Sequence, residues 1–306
     1  MATALFPLEA PRALFHDLLV EPEEARGILR PQRDERYGFG FALSPYRGCG
    51  HGCRYCYVRD YPQPGHGPEQ WGTWAAPKLN APELLWAQRH RLHGQTVFMA
   101  SATDPYQPLE REFRLTRGCL EVLLQCPATR VCLHTRSPLV LQDLELLRAF
   151  GGRLSVGFSI PTDDDTVRQA VEPKAPPIPS RWAAVERLAQ AGLAVTVAAT
   201  PLMAMQDPAV FARRARASGA CGAWTGGLRL LRDDPFRALL ARNGWLHILE
   251  PSYLQEVREA LQDAFPPGAA PARRRRAARE ASLPRPPSPA QQPSRHPQQP
   301  SLFEGM

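Results

Sequence analysis

Three cysteines stand within eight residues, in Ser44-Pro-Tyr-Arg-Gly-Cys49-Gly-His-Gly-Cys53-Arg-Tyr-Cys56-Tyr57. Thiolate sulfur is a soft donor for iron, copper or zinc. An extended chain would carry Cys53 roughly 13–14 Å from Cys49. The loop must therefore fold back if the sulfurs are to converge. Gly48, Gly50 and Gly52 permit that fold and let backbone N–H groups approach sulfur. Three cysteines with no evident fourth suit an iron–sulfur cluster that leaves one iron open to another ligand. A structural zinc, with His51 completing Cys49, Cys53 and Cys56, is the competing chemistry. It would make the chain a non-catalytic, nucleic-acid-binding module. His51 lies between two of the cysteines, whereas compact zinc sites take their ligands as two separated pairs. Three buried structural thiols are a further reading, although a glycine-rich loop forms core poorly.

The elements that must position this loop alternate along the chain. Strands are predicted over 96–101, 130–135, 154–160, 194–200 and, more weakly, 223–230. Helices are predicted over 115–125, 139–150, 181–191, 207–218, 233–242 and 251–265. Thr162 with Asp165 reads as the N-cap signal of a short helix. Residues 23–29 read as a short helix interrupted by Gly27. Repeated strand–helix units with short links argue for an α/β fold of parallel strands covered by helices. Five or six units is few for the eight-stranded barrel.

Three segments follow: an N-terminal extension, 1–36; one domain, 37–265; and a tail, 266–306. The tail holds ten prolines in 41 residues and the run Arg273 to Arg276. It cannot bury enough apolar surface to offset its ordering entropy, so it reads as disordered. It also carries net +5 of the formal +7, leaving +2 for the rest. Only two of the 37 basic residues are lysines, Lys78 and Lys174, so an arginine by itself signals little. Of the 306 residues 43% are hydrophobic, which excludes wholesale disorder. No run of 18 apolar residues predicts a membrane span, and the first residues show no secretory pattern. Seven cysteines, an odd number, suit a reducing, cytoplasmic setting.

The cysteine spacing, with Tyr55 before the third cysteine, resembles the signature of the radical SAM superfamily. Further segments are similar, in order, to the branch related to spore photoproduct lyase. They are Lys78-Leu-Asn-Ala-Pro-Glu83, Ala102-Thr-Asp-Pro-Tyr-Gln-Pro-Leu-Glu110 with Leu115-Thr-Arg117, His134-Thr-Arg-Ser137, Gly157-Phe-Ser-Ile160 and Glu172-Pro-Lys-Ala-Pro176. The resemblance spans about residues 37–230. It implies a partial (β/α)6 TIM-type barrel, with the cluster on the loop after a first strand near 39–44. Cys49, Cys53 and Cys56 would bind a [4Fe-4S] cluster whose fourth iron takes the amino and carboxylate groups of S-adenosylmethionine (SAM). Reduction, by a donor such as flavodoxin or ferredoxin, would give methionine and a 5′-deoxyadenosyl radical that abstracts hydrogen from substrate. Nucleic acid is the substrate class the resemblance suggests.

The resemblance also implies roles for single residues. Ser101, Thr103 and Asp104 would contact the methionine part of the cofactor, and Arg136 its carboxylate, with Ser159 at the same rim. Tyr55 would pack near the adenine and Tyr57 would relay a hydrogen atom. Ordinary turn chemistry at Asp104-Pro105 and simple packing of Tyr57 are the plainer alternatives. Lys174 reads as a solvated loop residue within reach of the site. Cys119, Cys126, Cys132 and Cys221 read as core. The lyases carry a hydrogen-donating cysteine just after the strand matching 96–101, where this chain has Ala100-Ser101-Ala102. That departure argues against thymine-dimer repair and leaves radical generation intact. Finally, Gln299-Pro-Ser-Leu-Phe303 resembles the peptide that docks on the bacterial sliding clamp.

Overall fold

The computed structural model describes residues 17–32, 38–99, 101–228, 230 and 234–266, together with the backbone of the strand Ala13–Phe15. The tail and its clamp-like peptide lie outside the described residues.

Six strands pair in parallel, in chain order: Phe41–Leu43, Thr96–Met99, Arg130–Thr135, Leu154–Ser159, Ala194–Ala199 and Gly222–Thr225. A seventh, Leu29–Pro31, adds antiparallel to the first. Among the described residues the two ends of this sheet do not pair with one another. Alternation decides which face is covered. Val97, Met99, Val131, Leu133, Val156, Phe158, Val195 and Val197 are buried, in one core with Leu120, Leu123, Leu147, Trp182, Leu188 and Phe211 from the helices. The helices Leu115–Leu124, Ile178–Gln190 and Pro208–Ala217 supply that cover between successive strands. The opposite face presents Phe98, Cys132 and His134, all half-buried, and the exposed Trp224.

A second sheet joins Ala13–Phe15, Leu18–Val20, Trp74–Pro77 and Tyr46–Gly48, in that order. It has its own small core of Leu18, Val20, Tyr46, Ala75, Leu109 and Leu115. Its strands are three or four residues long and carry too few alternations to register as a period in the sequence.

Several expectations are corrected. Residues 23–29 form no helix; Glu23 bridges to Lys78 and its N–H bonds Pro77 O at 2.9 Å, which holds this segment extended. Asp164 caps the helix Asp165–Val171, accepting from Thr166 N–H and Val167 N–H. Thr162 instead donates its hydroxyl to Ala204 O, at 2.5 Å. The predicted helix over 139–150 divides into a 3-10 turn, Pro138–Asp143, and the helix Leu144–Ala149. The sixth strand ends at Thr225. Cys119 and Cys126 join the main core. Cys132 alternates onto the uncovered face, and Cys221 is half-buried with its thiol donating to Val195 O. Among the described residues no helix is long and apolar enough to cross a membrane.

Candidate functional site

The cysteine loop leaves the small sheet at Gly48, whose φ is +71°. A Cβ there would lie 2.8 Å from Trp74 O, so only glycine fits the exit. The loop is then tied down from several directions. Thr103 donates its hydroxyl to Gly48 O at 2.6 Å, and Gly50 N–H bonds Gln107 Oε1 at 2.9 Å. Gln107 Nε2 in turn bonds Thr103 Oγ1 at 3.0 Å. Arg54 N–H reaches Val171 O at 2.9 Å. The loop is thereby fixed to the chain that follows the second parallel strand and to the end of the helix Asp165–Val171.

Cys49 and Cys53 are buried, Cys56 is half-buried, and none is in a disulfide. Burial pushes all three thiols up, Cys56 to about 12. For Cys53 the neighbouring Cys49 and Cys56 push further, against the opposing effect of Arg136. Buried thiols this reluctant to ionise need a cationic partner to become ligands, and an iron core supplies one. Three soft donors on one fixed loop fit an iron–sulfur cluster.

Nothing supports a zinc set with His51: among the described residues no group of three or more His, Cys, Asp or Glu, Cys49, Cys53 and Cys56 included, is gathered closely enough to hold a metal ion. His51 is 2% exposed, and burial drops its ring to about 4, so it is neutral. Its Nε2 lies 3.6 Å from Asp104 Oδ2.

Around the loop lies a buried polar network built from the C-terminal ends of the strands. Asp104 Oδ1 accepts from Thr135 Oγ1 at 2.6 Å and Tyr106 N–H at 2.9 Å. Asp104 Oδ2 accepts from Arg136 N–H at 2.9 Å. Arg136 Nη1 donates to Tyr55 OH at 2.8 Å and to Glu172. The Tyr55 hydroxyl donates to the same Glu172 oxygen, and the Tyr55 ring stands edge-on to Phe236. Ser159 Oγ pairs with His134 Nε2 at 3.0 Å. Burial, helped by Arg136, lowers the His134 ring to about 4, so it stays neutral.

The sequence-predicted residues therefore meet, though in unequal roles. Cys49, Cys53, Tyr55, Thr103 and Asp104 are buried around the loop, with Cys56 and Arg136 half-buried beside them. Thr103 and Asp104 spend their polar atoms on the protein itself. Ser101 sits at the mouth: its hydroxyl is 3.5 Å from Ser44 Oγ, and its carbonyl accepts from Tyr57 OH at 2.5 Å. Tyr57 is 57% exposed and stacks edge-on with Tyr61. Lys174 is an exposed loop residue, as expected, and its ammonium donates to Gly72 O at 2.9 Å.

Glu172, Arg181, Gln107 and His134 also belong to the site; Gln107, His134 and Glu172 lie in segments that carry the resemblance, but the sequence assigns a role to none of the four. Glu172 ends a helix before a proline, which gave a weak signal. Arg181 is one arginine among many.

A sequence profile described as Radical SAM superfamily matches residues 43–209. An uncharacterized protein of Methanocaldococcus jannaschii is 30% identical over 156 residues, 51% of this chain and 58% of that protein. One from Acidianus two-tailed virus is 30% identical over 195 residues, 60% of this chain and 63% of that protein. The chain thus spans less than two thirds of the length of these relatives. In three dimensions it is similar to a cysteine-to-serine mutant of spore photoproduct lyase. The TM-score is 0.62 at 14% identity, over 81% of this chain and 80% of that one. A second mutant of the lyase, with bound AdoMet and dinucleoside spore photoproduct, gives a TM-score of 0.61 at the same identity and coverage. The chain belongs to the radical SAM superfamily and shares the fold of its spore photoproduct lyase branch.

Proposed function

We propose that this protein is a radical SAM enzyme acting on a nucleic acid. Cys49, Cys53 and Cys56 hold a [4Fe-4S] cluster at the mouth of a partial (β/α)6 barrel. The observation that carries the reading is three free cysteines on one anchored loop, Cys49 and Cys53 buried and Cys56 half-buried, beside the C-terminal ends of six parallel strands in chain order. When bound and reduced, the cluster supplies the electron that cleaves SAM to methionine and a 5′-deoxyadenosyl radical.

The chain's own residues bind, orient and exclude water. Thr103 and Gln107 hold the cysteine loop against the sheet. Tyr55 and Arg136 line the cofactor pocket, Arg136 facing the SAM carboxylate with a planar fork suited to it. Ser101, Asp104 and Ser159 frame the same rim, Asp104 by fixing Arg136 through its backbone N–H. Tyr57 stands at the open edge, placed to pass a hydrogen atom. Burial of the network excludes water that would quench a radical.

The uncovered face of the sheet supports a planar substrate. Phe39 stacks on Phe98 at 4.6 Å, and His134 lies 6.2 Å from Phe98 and 6.0 Å from Trp224. Aromatic surfaces of this kind stack nucleobases without regard to sequence. The electron donor is a flavodoxin or ferredoxin, and the setting a reducing cytoplasm.

The test is anaerobic purification with iron and sulfide, then reduction in the presence of SAM. A brown protein that forms 5′-deoxyadenosine supports the reading. A colourless protein holding one zinc overturns it.

A further inference from the structure

Glu172 follows the helix Asp165–Val171 and is fully buried. Three donors converge on its carboxylate, from three separate parts of the chain. Arg181, in the helix Ile178–Gln190, donates through Nη2 at 2.5 Å. Arg136, just past the third parallel strand, and the Tyr55 hydroxyl, on the cysteine loop, share the other oxygen. Burial by itself would raise this carboxyl, but Arg181, Arg136 and Tyr55 hold it down at about 2, so it is ionised.

Arg136 is the member of this network nearest the surface. Its side chain is 16% exposed, against 0% for Glu172 and Arg181. Of its guanidinium nitrogens only Nη1 makes a side-chain hydrogen bond among the described residues. Nε lies 3.9 Å from Asp104 Oδ2, beyond hydrogen-bonding reach. One arm of the fork is thus gripped from inside, and its remaining donors stay uncommitted.

We infer that Glu172 is a positioning residue for the cofactor. It fixes Tyr55 and one arm of Arg136, so that the remaining guanidinium donors meet the SAM carboxylate already oriented. The inference rests on the functional reading above and adds to it a residue that never touches the cofactor. A preoriented bidentate donor loses little rotamer freedom on binding, so its loss appears in affinity.

The experiment measures SAM binding by calorimetry on the anaerobically reconstituted, unreduced protein, with iron content and melting temperature recorded alongside. Glu172→Gln is expected to weaken SAM binding about tenfold or more while iron is retained, since the charge-assisted contacts that orient Arg136 are weakened. Asp143→Asn controls for the loss of a buried carboxylate elsewhere. Asp143 is equally buried, pairs with Arg117 at 2.7 Å and lies outside the site, so its variant should melt lower yet bind SAM as wild type does.

If Glu172→Gln fails to take up iron, Arg136→Lys decides, because lysine can pair with Glu172 but has no second arm. It too should weaken binding about tenfold or more. Wild-type affinity in an iron-loaded Glu172→Gln, or in Arg136→Lys, overturns the inference, as does equal weakening by Asp143→Asn. A wild-type protein that loads iron but binds no SAM overturns the functional reading itself.

Discussion

Glu110 is fully buried, with the Tyr46 hydroxyl donating to it and the N–H groups of Thr116 and Arg117 each 3.0 Å away. Burial outweighs those donors and lifts its carboxyl to about 7. The folded value exceeds the unfolded one near 4.5, so the folded protein holds this proton more tightly. Its contribution, roughly 3 kcal/mol, is full below about pH 4.5 and lost as pH rises through about 7. Glu110→Gln removes that dependence. Its melting temperature relative to wild type should improve between about pH 5 and about pH 8, and a constant difference would refute the assignment. At Cys53 the expectation is different in kind: Cys53→Ala should keep the circular dichroism of the fold and lose its iron. Retention of full iron would remove Cys53 from the ligand set. The cysteines were legible because their spacing is itself the chemistry. Glu172 was not, because its three partners lie 9, 36 and 117 residues away in sequence.

The elements around the site divide in the same way. The strands Arg130–Thr135, Leu154–Ser159 and Ala194–Ala199 follow from β-branched and apolar alternation long enough to read. The small sheet does not, although it delivers Gly48 and so aims the cysteine loop. Behind that loop Gly52 and Gly72 meet backbone to backbone. A Cβ on Gly72, at φ +89°, would lie 2.4 Å from Gly52 Cα. Gly72→Ala should therefore lower stability by roughly 1–3 kcal/mol and reduce iron uptake together. A variant with normal iron and an unchanged melting temperature would show that the loop has room the structure denies it. The short cap at Asp164 was misread by two positions because Thr162, Asp164 and Asp165 are all good N-cap residues. Only the tertiary contact of Thr162 with Ala204 O decides among them.

Across the whole molecule, charge and chemistry are separated. Residues 266–306 carry +5 of the formal +7, so the residues that build the site are nearly neutral in sum. We expect truncation after Pro266 to leave SAM cleavage unchanged and to weaken binding of a nucleic acid oligonucleotide at low salt. That difference should vanish above about 0.2 M salt, as counterion release requires. Truncation that abolishes SAM cleavage would contradict this division of labour. For the proposed clamp peptide, Leu302→Ala with Phe303→Ala should reduce recovery of purified sliding clamp, and equal recovery would end that idea.

The sequence by itself determined the candidate ligands, the superfamily and the strand–helix alternation, because each is written in residues close together along the chain. Tertiary structure alone decided what holds them. It brought Glu172 and Arg181 to Arg136 and Tyr55, spent Thr103 and Asp104 on internal hydrogen bonds, and laid Trp224 beside His134 on the open face of the sheet. Those contacts join residues distant in sequence, and burial fixes their protonation, so no local pattern could carry them.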